Sequence, residues 1–176
     1  HDIWDWDLPT HPLLVDITTK KGKEPIVIQL GKTGMVYTFH RETGEPYFEI
    51  EERSVSTDGI LGDQLSPTQP FPVKPPPLIR QGITPDDAWG VTPIEREGCR
   101  EKIAGARYGE MFTPMSTKGT IMYPQVGGGA NWGGGSFDSE RNILVVPVAE
   151  VPFYVRLIPQ ENIDKKLAKS PMAGNP

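Results

Sequence analysis

The sequence predicts an all-β fold of short strands joined by tight turns, and three observations carry that prediction. Glycine and proline number 19 each in 176 residues, together more than a fifth of the chain against an average usage of roughly 12%, so long helices are interrupted too often to form. Apolar, β-branched runs of about strand length recur along the chain. Four of them follow one another within the first fifty residues, separated only by turn-forming residues.

The elements follow in order. Pro12-Leu13-Leu14-Val15-Asp16-Ile17 is the first apolar run, and Thr19-Lys20-Lys21-Gly22-Lys23 the charged turn after it. Pro25 to Leu30 is the second strand. Gly31-Lys32-Thr33-Gly34 turns the chain, and Met35 to Phe39 returns, which reads as a hairpin. Arg41-Glu42-Thr43-Gly44-Glu45-Pro46 makes the next turn, and Tyr47 to Ile50 completes a four-stranded meander, the unit from which propeller blades are built. Residues 54–91 form a Pro-rich excursion centred on Pro72-Val73-Lys74-Pro75-Pro76-Pro77, too long for an ordinary loop. Thr92-Pro93-Ile94-Glu95 has the cap, first-turn proline and returning glutamate of a short helix, which Gly98 is expected to interrupt. Strands resume at 119–124, 142–148 and 153–158. The first two flank Gly127-Gly128-Gly129-Ala130-Asn131-Trp132-Gly133-Gly134-Gly135, whose glycines let backbone approach something closely. The tail from Glu161 to Lys169 is charged and expected helical.

The densest chemistry lies at the start, in His1-Asp2-Ile3-Trp4-Asp5-Trp6-Asp7. Three carboxylates so close repel one another, so a fold gathers them around a cation or a set of donors, or leaves them in water. Two indoles beside them argue against simple exposure. Acids among aromatics suit proton abstraction beside a metal or a flat cofactor. A solvated strand end with two core tryptophans is the other reading of the same residues.

Composition narrows the classes. A net charge of −5 and a pI near 5.2 argue against nucleic acid, whose phosphates require clustered Lys and Arg. Cys99, the single cysteine, forms no internal disulfide. The mean hydropathy of −0.40 fits a loop-rich soluble chain. No apolar run reaches the ~20 residues of a membrane span, and no leader peptide is visible. Both ends read as cut, the first inside a dense motif and the last in mid-loop.

Several motifs fail on their own terms. Gly31-Lys32-Thr33 resembles the end of a phosphate loop, but Ile26 stands where its first glycine belongs. Asp5-Trp6-Asp7 begins like a calcium loop, but Pro9 and Thr10 replace its fifth ligand and its glycine. His1, His11 and His40 have no zinc spacing with one another or with Cys99. Taken singly, Lys32 reads as a solvated turn lysine and Asn131 as a turn residue.

In combination, four stretches resemble the pyrroloquinoline quinone-dependent dehydrogenases, and within them the membrane-bound glucose and quinate/shikimate branch. They are the opening run, Gly31-Lys32-Thr33-Gly34, Arg41-Glu42-Thr43-Gly44-Glu45 and Gly129-Ala130-Asn131-Trp132-Gly133; Ala88-Trp89-Gly90-Val91-Thr92 adds to the likeness. The resemblance covers nearly the whole chain. The family's blade-docking pattern falls on Thr38 to Phe48, where Thr43 and Gly44 match while Thr38, His40 and Phe48 replace its Ala, Asp and Trp.

The resemblance implies an eight-bladed β-propeller, of which residues 1–176 supply two to three blades within a single domain. It implies oxidation of a sugar or cyclic polyol by hydride transfer to pyrroloquinoline quinone, with electrons passed to ubiquinone at the periplasmic face of the bacterial inner membrane. Asp5 falls on the family's catalytic base. Lys32, Asn131 and Trp132 fall on cofactor contacts, and Asp5 and Asp7 on ligands of calcium or another divalent cation. The remaining ligands and the membrane anchor are expected before residue 1, so the chain alone is expected to be inactive. It is expected to leave Trp4, Trp6 and Trp132 exposed and to self-associate. A non-catalytic propeller scaffold and a β-rich binding module are the alternatives.

Overall fold

The structure, a computed structural model, describes residues 2–160 together with 162 and 163. His1 and the expected tail helix lie outside the described residues, Asn162 and Ile163 excepted.

Strands β1 (Leu13–Thr19), β2 (Gly22–Leu30) and β3 (Val36–His40) form one antiparallel sheet in that order. Register follows from the alternation of side chains. Val15 faces Ile26, Leu13 faces Ile28, and Leu30 faces Val36. Ile26, Ile28, Leu30 and Val36 are all buried, and Ala130 from the glycine-rich loop packs with them. On the outer edge, Asn142 closes on Thr18 with two hydrogen bonds, its Oδ1 accepting from Thr18 N at 3.0 Å and its Nδ2 donating to Thr18 O at 3.2 Å. A strand edge is thereby partly covered.

The expected fourth strand of the meander does not form at Tyr47–Ile50. Pro46 makes a single bridge to Phe39, and the chain then leaves the sheet for a separate hairpin, β4 (Ile50–Ser54) with β5 (Thr68–Pro72). The bridge is held by His40 N donating to Glu45 O and Tyr47 N donating to Thr38 O, both at 2.8 Å, and the pairing goes no further. The supposedly irregular stretch after Ser54 therefore contains a strand, and beyond it β6 (Gly82–Ile83) and a single 3-10 turn at Pro85–Asp87.

Helix α1 (Pro93–Ala104) starts as its sequence directs. Thr92 Oγ1 accepts from Glu95 N at 3.2 Å, and the Glu95 carboxylate accepts from Thr92 N at 2.9 Å. It does not stop at Gly98 but runs 12 residues. A glycine inside an exposed helix costs about 1 kcal/mol, which the capping box and the burial of Ile103 offset. The fold is thus mostly sheet with one helix longer than a residue-98 break would give.

After α1 come β7 (Gly109–Glu110), paired with β6, then β8 (Thr120–Met122), β9 (Ser136–Asp138), β10 (Ile143–Val145) and β11 (Phe153–Val155). β9 pairs with β10, and β8 with β11 around them. These strands are shorter than the sequence runs that contain them; Pro124 and Pro147, which cannot donate to a ladder, stand within two of those runs. No sheet closes on itself among the described residues.

Candidate active site

The opening segment is built by Asp2. Its carboxylate accepts from the backbone N–H groups of Trp4 at 2.8 Å and Trp6 at 2.6 Å, which curls residues 2–6 into a tight loop. Within it, Asp5 adopts φ +68°, a left-handed conformation that Asp tolerates better than most residues. Side chains then alternate. Trp4 and Trp6 point inward, 2% and 8% exposed, stacked at 5.3 Å with both ring edges against Phe112. Trp4 Nε1 donates to Thr113 O at 2.8 Å. Asp5 and Asp7 point outward. The indoles are core and the acids remain at the surface, as the reading with two core tryptophans expects. Trp4 and Trp6 are not left exposed, because Phe112, Met35 and Met111 from this same chain cover them.

Lys32 meets those acids from the β2–β3 turn. Its ammonium lies 3.0 Å from Asp5 Oδ2 and 2.6 Å from Asp7 Oδ1, and its N–H donates to Asp7 O at 3.2 Å. The lysine is buried while its partners are more than half exposed, at 69% for Asp5 and 53% for Asp7. Burial works against the ammonium, but hydrogen bonds and charge from Asp7 and Asp5 outweigh it and hold the pKa above the ordinary lysine value. Two of the three close carboxylates, Asp5 and Asp7, thus meet a cation of the protein's own, and the third, Asp2, meets backbone donors.

The glycine-rich loop closes over Lys32. Gly129 N donates to Lys32 O at 2.6 Å. Gly128 sits at φ +73°, where an added Cβ would lie 2.4 Å from Lys32 Cβ; only glycine allows this approach. Asn131 spends its amide within the loop, donating to Gly127 O at 2.6 Å and accepting from Trp132 N at 2.7 Å. Trp132 stands 85% exposed. Asp5, Asp7 and Lys32 therefore form one cluster, and Asn131 belongs to the loop that covers it. Trp132 is the outward corner of that loop.

Two carboxylates do not complete a calcium shell, which takes six to eight oxygens. No group of three or more His, Cys, Asp or Glu side chains suited to a metal occurs among the described residues. The donor set fits a partial site, able to give two carboxylates to a cation and an ammonium to a carbonyl oxygen. Cavities of about 610 and 620 Å³ lie elsewhere, against Phe71 and Met111 and against Cys99 and Phe153, and neither is lined by Asp5 or Lys32. No helix among the described residues is long and apolar enough to cross a membrane.

Sequence reasoning gave no part to Phe112 or Ile79, and counted Asp2 only as one of three close acids. Asp2 was detectable, since an Asp two residues ahead of an N–H that needs a partner is a local pattern. Phe112 and Ile79 reach the site through tertiary contact alone.

Comparison with known proteins identifies the class. The β-propeller domain model of the PQQ glucose/ethanol/alcohol dehydrogenases matches residues 1–175, and the chain belongs to that family. Among individual proteins it is 36% identical to the glycerol dehydrogenase large subunit of Gluconobacter thailandicus over 93% of this chain and 22% of that protein. It is 35% identical to the quinoprotein glucose dehydrogenase of Escherichia coli K12, over 91% of this chain and 20% of that protein. It is 34% identical to the quinate/shikimate dehydrogenase (quinone) of Acinetobacter baylyi, over 95% of this chain and 21% of that protein. The chain spans about a fifth of the length of these curated relatives. No solved structure gives a significant match.

Proposed function

We propose that the protein carrying this chain is a quinoprotein dehydrogenase that oxidises a sugar or cyclic polyol with pyrroloquinoline quinone. The observation that carries the reading is the cluster at Lys32: a buried ammonium held between two outward carboxylates beneath a glycine-rich loop, in a chain of the PQQ propeller family. When bound, the quinone supplies the hydride acceptor. Asp5 takes the hydroxyl proton of the substrate, for which an exposed carboxylate on a strained loop is suited. Lys32 donates to a quinone oxygen and stabilises negative charge there. Asn131 and Trp132 border the cofactor from the loop. Asp5 and Asp7 give carboxylates to calcium or another divalent cation, whose other ligands come from the rest of the protein.

In this reading residues 1–176 are two to three blades of a single eight-bladed propeller, with 54–91 as an excursion from it. The whole protein sits at the periplasmic face of the bacterial inner membrane, held by a segment outside this chain, and passes electrons to ubiquinone. The relatives' names support glycerol, glucose and quinate or shikimate as the range of substrate chemistry.

The test uses the full-length protein. Asp5→Asn keeps the shape and tolerates the left-handed backbone, so quinone titration should be near normal while turnover falls by about 10²–10⁴-fold. Near-normal turnover would remove Asp5 as the base. Absence of quinone binding by the unmutated protein would favour a non-catalytic propeller scaffold instead.

A further inference from the structure

We infer that Ile79 is the positioning residue for Lys32, holding the glycine-rich loop and the β2–β3 turn together over it; the inference rests on the reading of Lys32 as a cofactor contact. A Cβ on Gly34 would lie 2.4 Å from Ile79 Cγ1, and a Cβ on Gly129 would lie 2.5 Å from Ile79 Cδ1. The same Gly129 position is 3.2 Å from Gly34 Cα. The Ile79 side chain, 5% exposed, therefore fills the space at which the turn and the loop converge. Both glycines are bonded to the lysine's own turn: Gly34 N donates to Gly31 O at 2.9 Å, and Gly129 N to Lys32 O at 2.6 Å.

The segment bearing Ile79 is tied on each side. Leu78 N donates to Gly34 O at 2.9 Å, and Gln81 Nε2 donates to Thr33 O at 3.1 Å. On the far side Arg80 N donates to Glu150 Oε1 at 3.1 Å, while the neighbouring Ala149 N donates to Gly129 O at 2.8 Å. Arg80 N–H and its guanidinium keep the Glu150 carboxyl below the usual carboxylate range, against the opposing effect of burial. The end of the Pro-rich excursion is thus a strap. It is bonded to the turn at Thr33 and Gly34 and to the loop through Glu150, with Ile79 as the apolar contact between them.

The consequence is specific to Lys32. If the packing at Ile79 is lost, the loop separates from the turn and the lysine amine becomes accessible, without any change in the residues that touch it. Acylation by an amine-reactive ester, read peptide by peptide in the cofactor-free full-length protein, measures this. Exposed Lys20 and Lys21 serve as internal references. Ile79→Ala should raise Lys32 labelling about tenfold relative to those references, the size of a modest local opening. Ile79→Val, which keeps most of the contact, should stay near the parent rate. Ile103→Ala, a truncation at a separate buried position, should destabilise the protein and leave Lys32 protected. Gly129→Ala collides with Ile79, so it should also open the site, and Ile79→Ala combined with Gly129→Ala should recover part of the protection.

Unchanged Lys32 labelling in both Ile79→Ala and Gly129→Ala would overturn the assignment. Equal opening by Ile103→Ala would also overturn it, because the effect would then be general loosening. Quinone titration of the unmutated protein is scored separately: failure there defeats the functional reading alone, since the labelling needs no cofactor.

Discussion

Two glycine-bearing segments meet at Lys32, and they use glycine differently. Gly31-Lys32-Thr33-Gly34 is buried from end to end and reverses the chain between β2 and β3, with Gly34 at φ +71°. The loop from Gly127 to Gly135 is divided. Gly128, Gly129 and Ala130 are buried against the turn, while Trp132 and Gly133 stand in solvent. The six glycines of the loop look equivalent in sequence, yet a methyl group at Gly128 would meet Lys32 and one at Gly133 would meet only Pro147 Cγ, at 3.2 Å. A glycine's meaning here is what its missing Cβ would touch, which no count of glycines conveys.

The largest test of that difference is Gly128→Ala. Left-handed backbone and a clash with Lys32 together should cost about 2–5 kcal/mol and weaken quinone binding. Gly44→Ala has a comparable backbone, φ +75°, with nothing within 4 Å of the added methyl. It should cost only the backbone strain of about 1–2 kcal/mol and leave binding alone. Denaturant melts of the two variants, with equal losses, would refute the close-approach argument.

Lys32→Met comes next. Its partners are largely exposed, so removing the pairs should cost about 1 kcal/mol or less at neutral pH, while quinone affinity drops. The stabilising contribution belongs to a raised pKa. It is fully present below the unfolded-state lysine value and is lost as pH rises through the higher folded value. The stability difference between parent and variant should therefore persist to the ordinary lysine pKa and shrink only in more alkaline solution. A difference that vanished between pH 7 and pH 9 would show that burial outweighs the ion pairs and lowers the Lys32 pKa.

The smallest expected effect is Trp132→Ala. With the ring 85% exposed, the melt should move by no more than about 0.5 kcal/mol. Any loss in quinone titration would then report on contact with the cofactor. Trp4→Ala, at a 2% exposed core position, should cost about 3–5 kcal/mol.

Much of the first sheet was legible because its signals are local. Alternating apolar residues in β1 and β2 and the Gly31–Gly34 turn specify register without help from distant residues. The capping box at Thr92 and Glu95 was legible for the same reason. The fate of Tyr47–Ile50 was not, since its departure from the sheet depends on the β4–β5 pairing, and β5 is the proline-bearing Thr68–Pro72. Likewise, Asp5 and Lys32 were identifiable as candidates through resemblance, but not their mutual ion pair. The burial of Trp4 and Trp6 was legible as one reading of the opening run, but their partner Phe112, more than a hundred residues away, was not.

That separation along the chain has a consequence for biosynthesis. Asp5, Asp7 and Lys32 leave the ribosome close together, whereas Gly128 and Gly129, which cover Lys32, follow almost a hundred residues later. At roughly 5–20 residues per second of synthesis, a nascent chain carries the lysine and its acids uncovered for several seconds. During that interval the first sheet can pair internally, but it lacks the contact that Asn142 makes with Thr18. Nascent chains stalled near residue 100 should accordingly leave Lys32 open to acylation, and chains extended well past residue 160 should protect it. Equal protection at both lengths would mean that the turn secures its lysine without the loop.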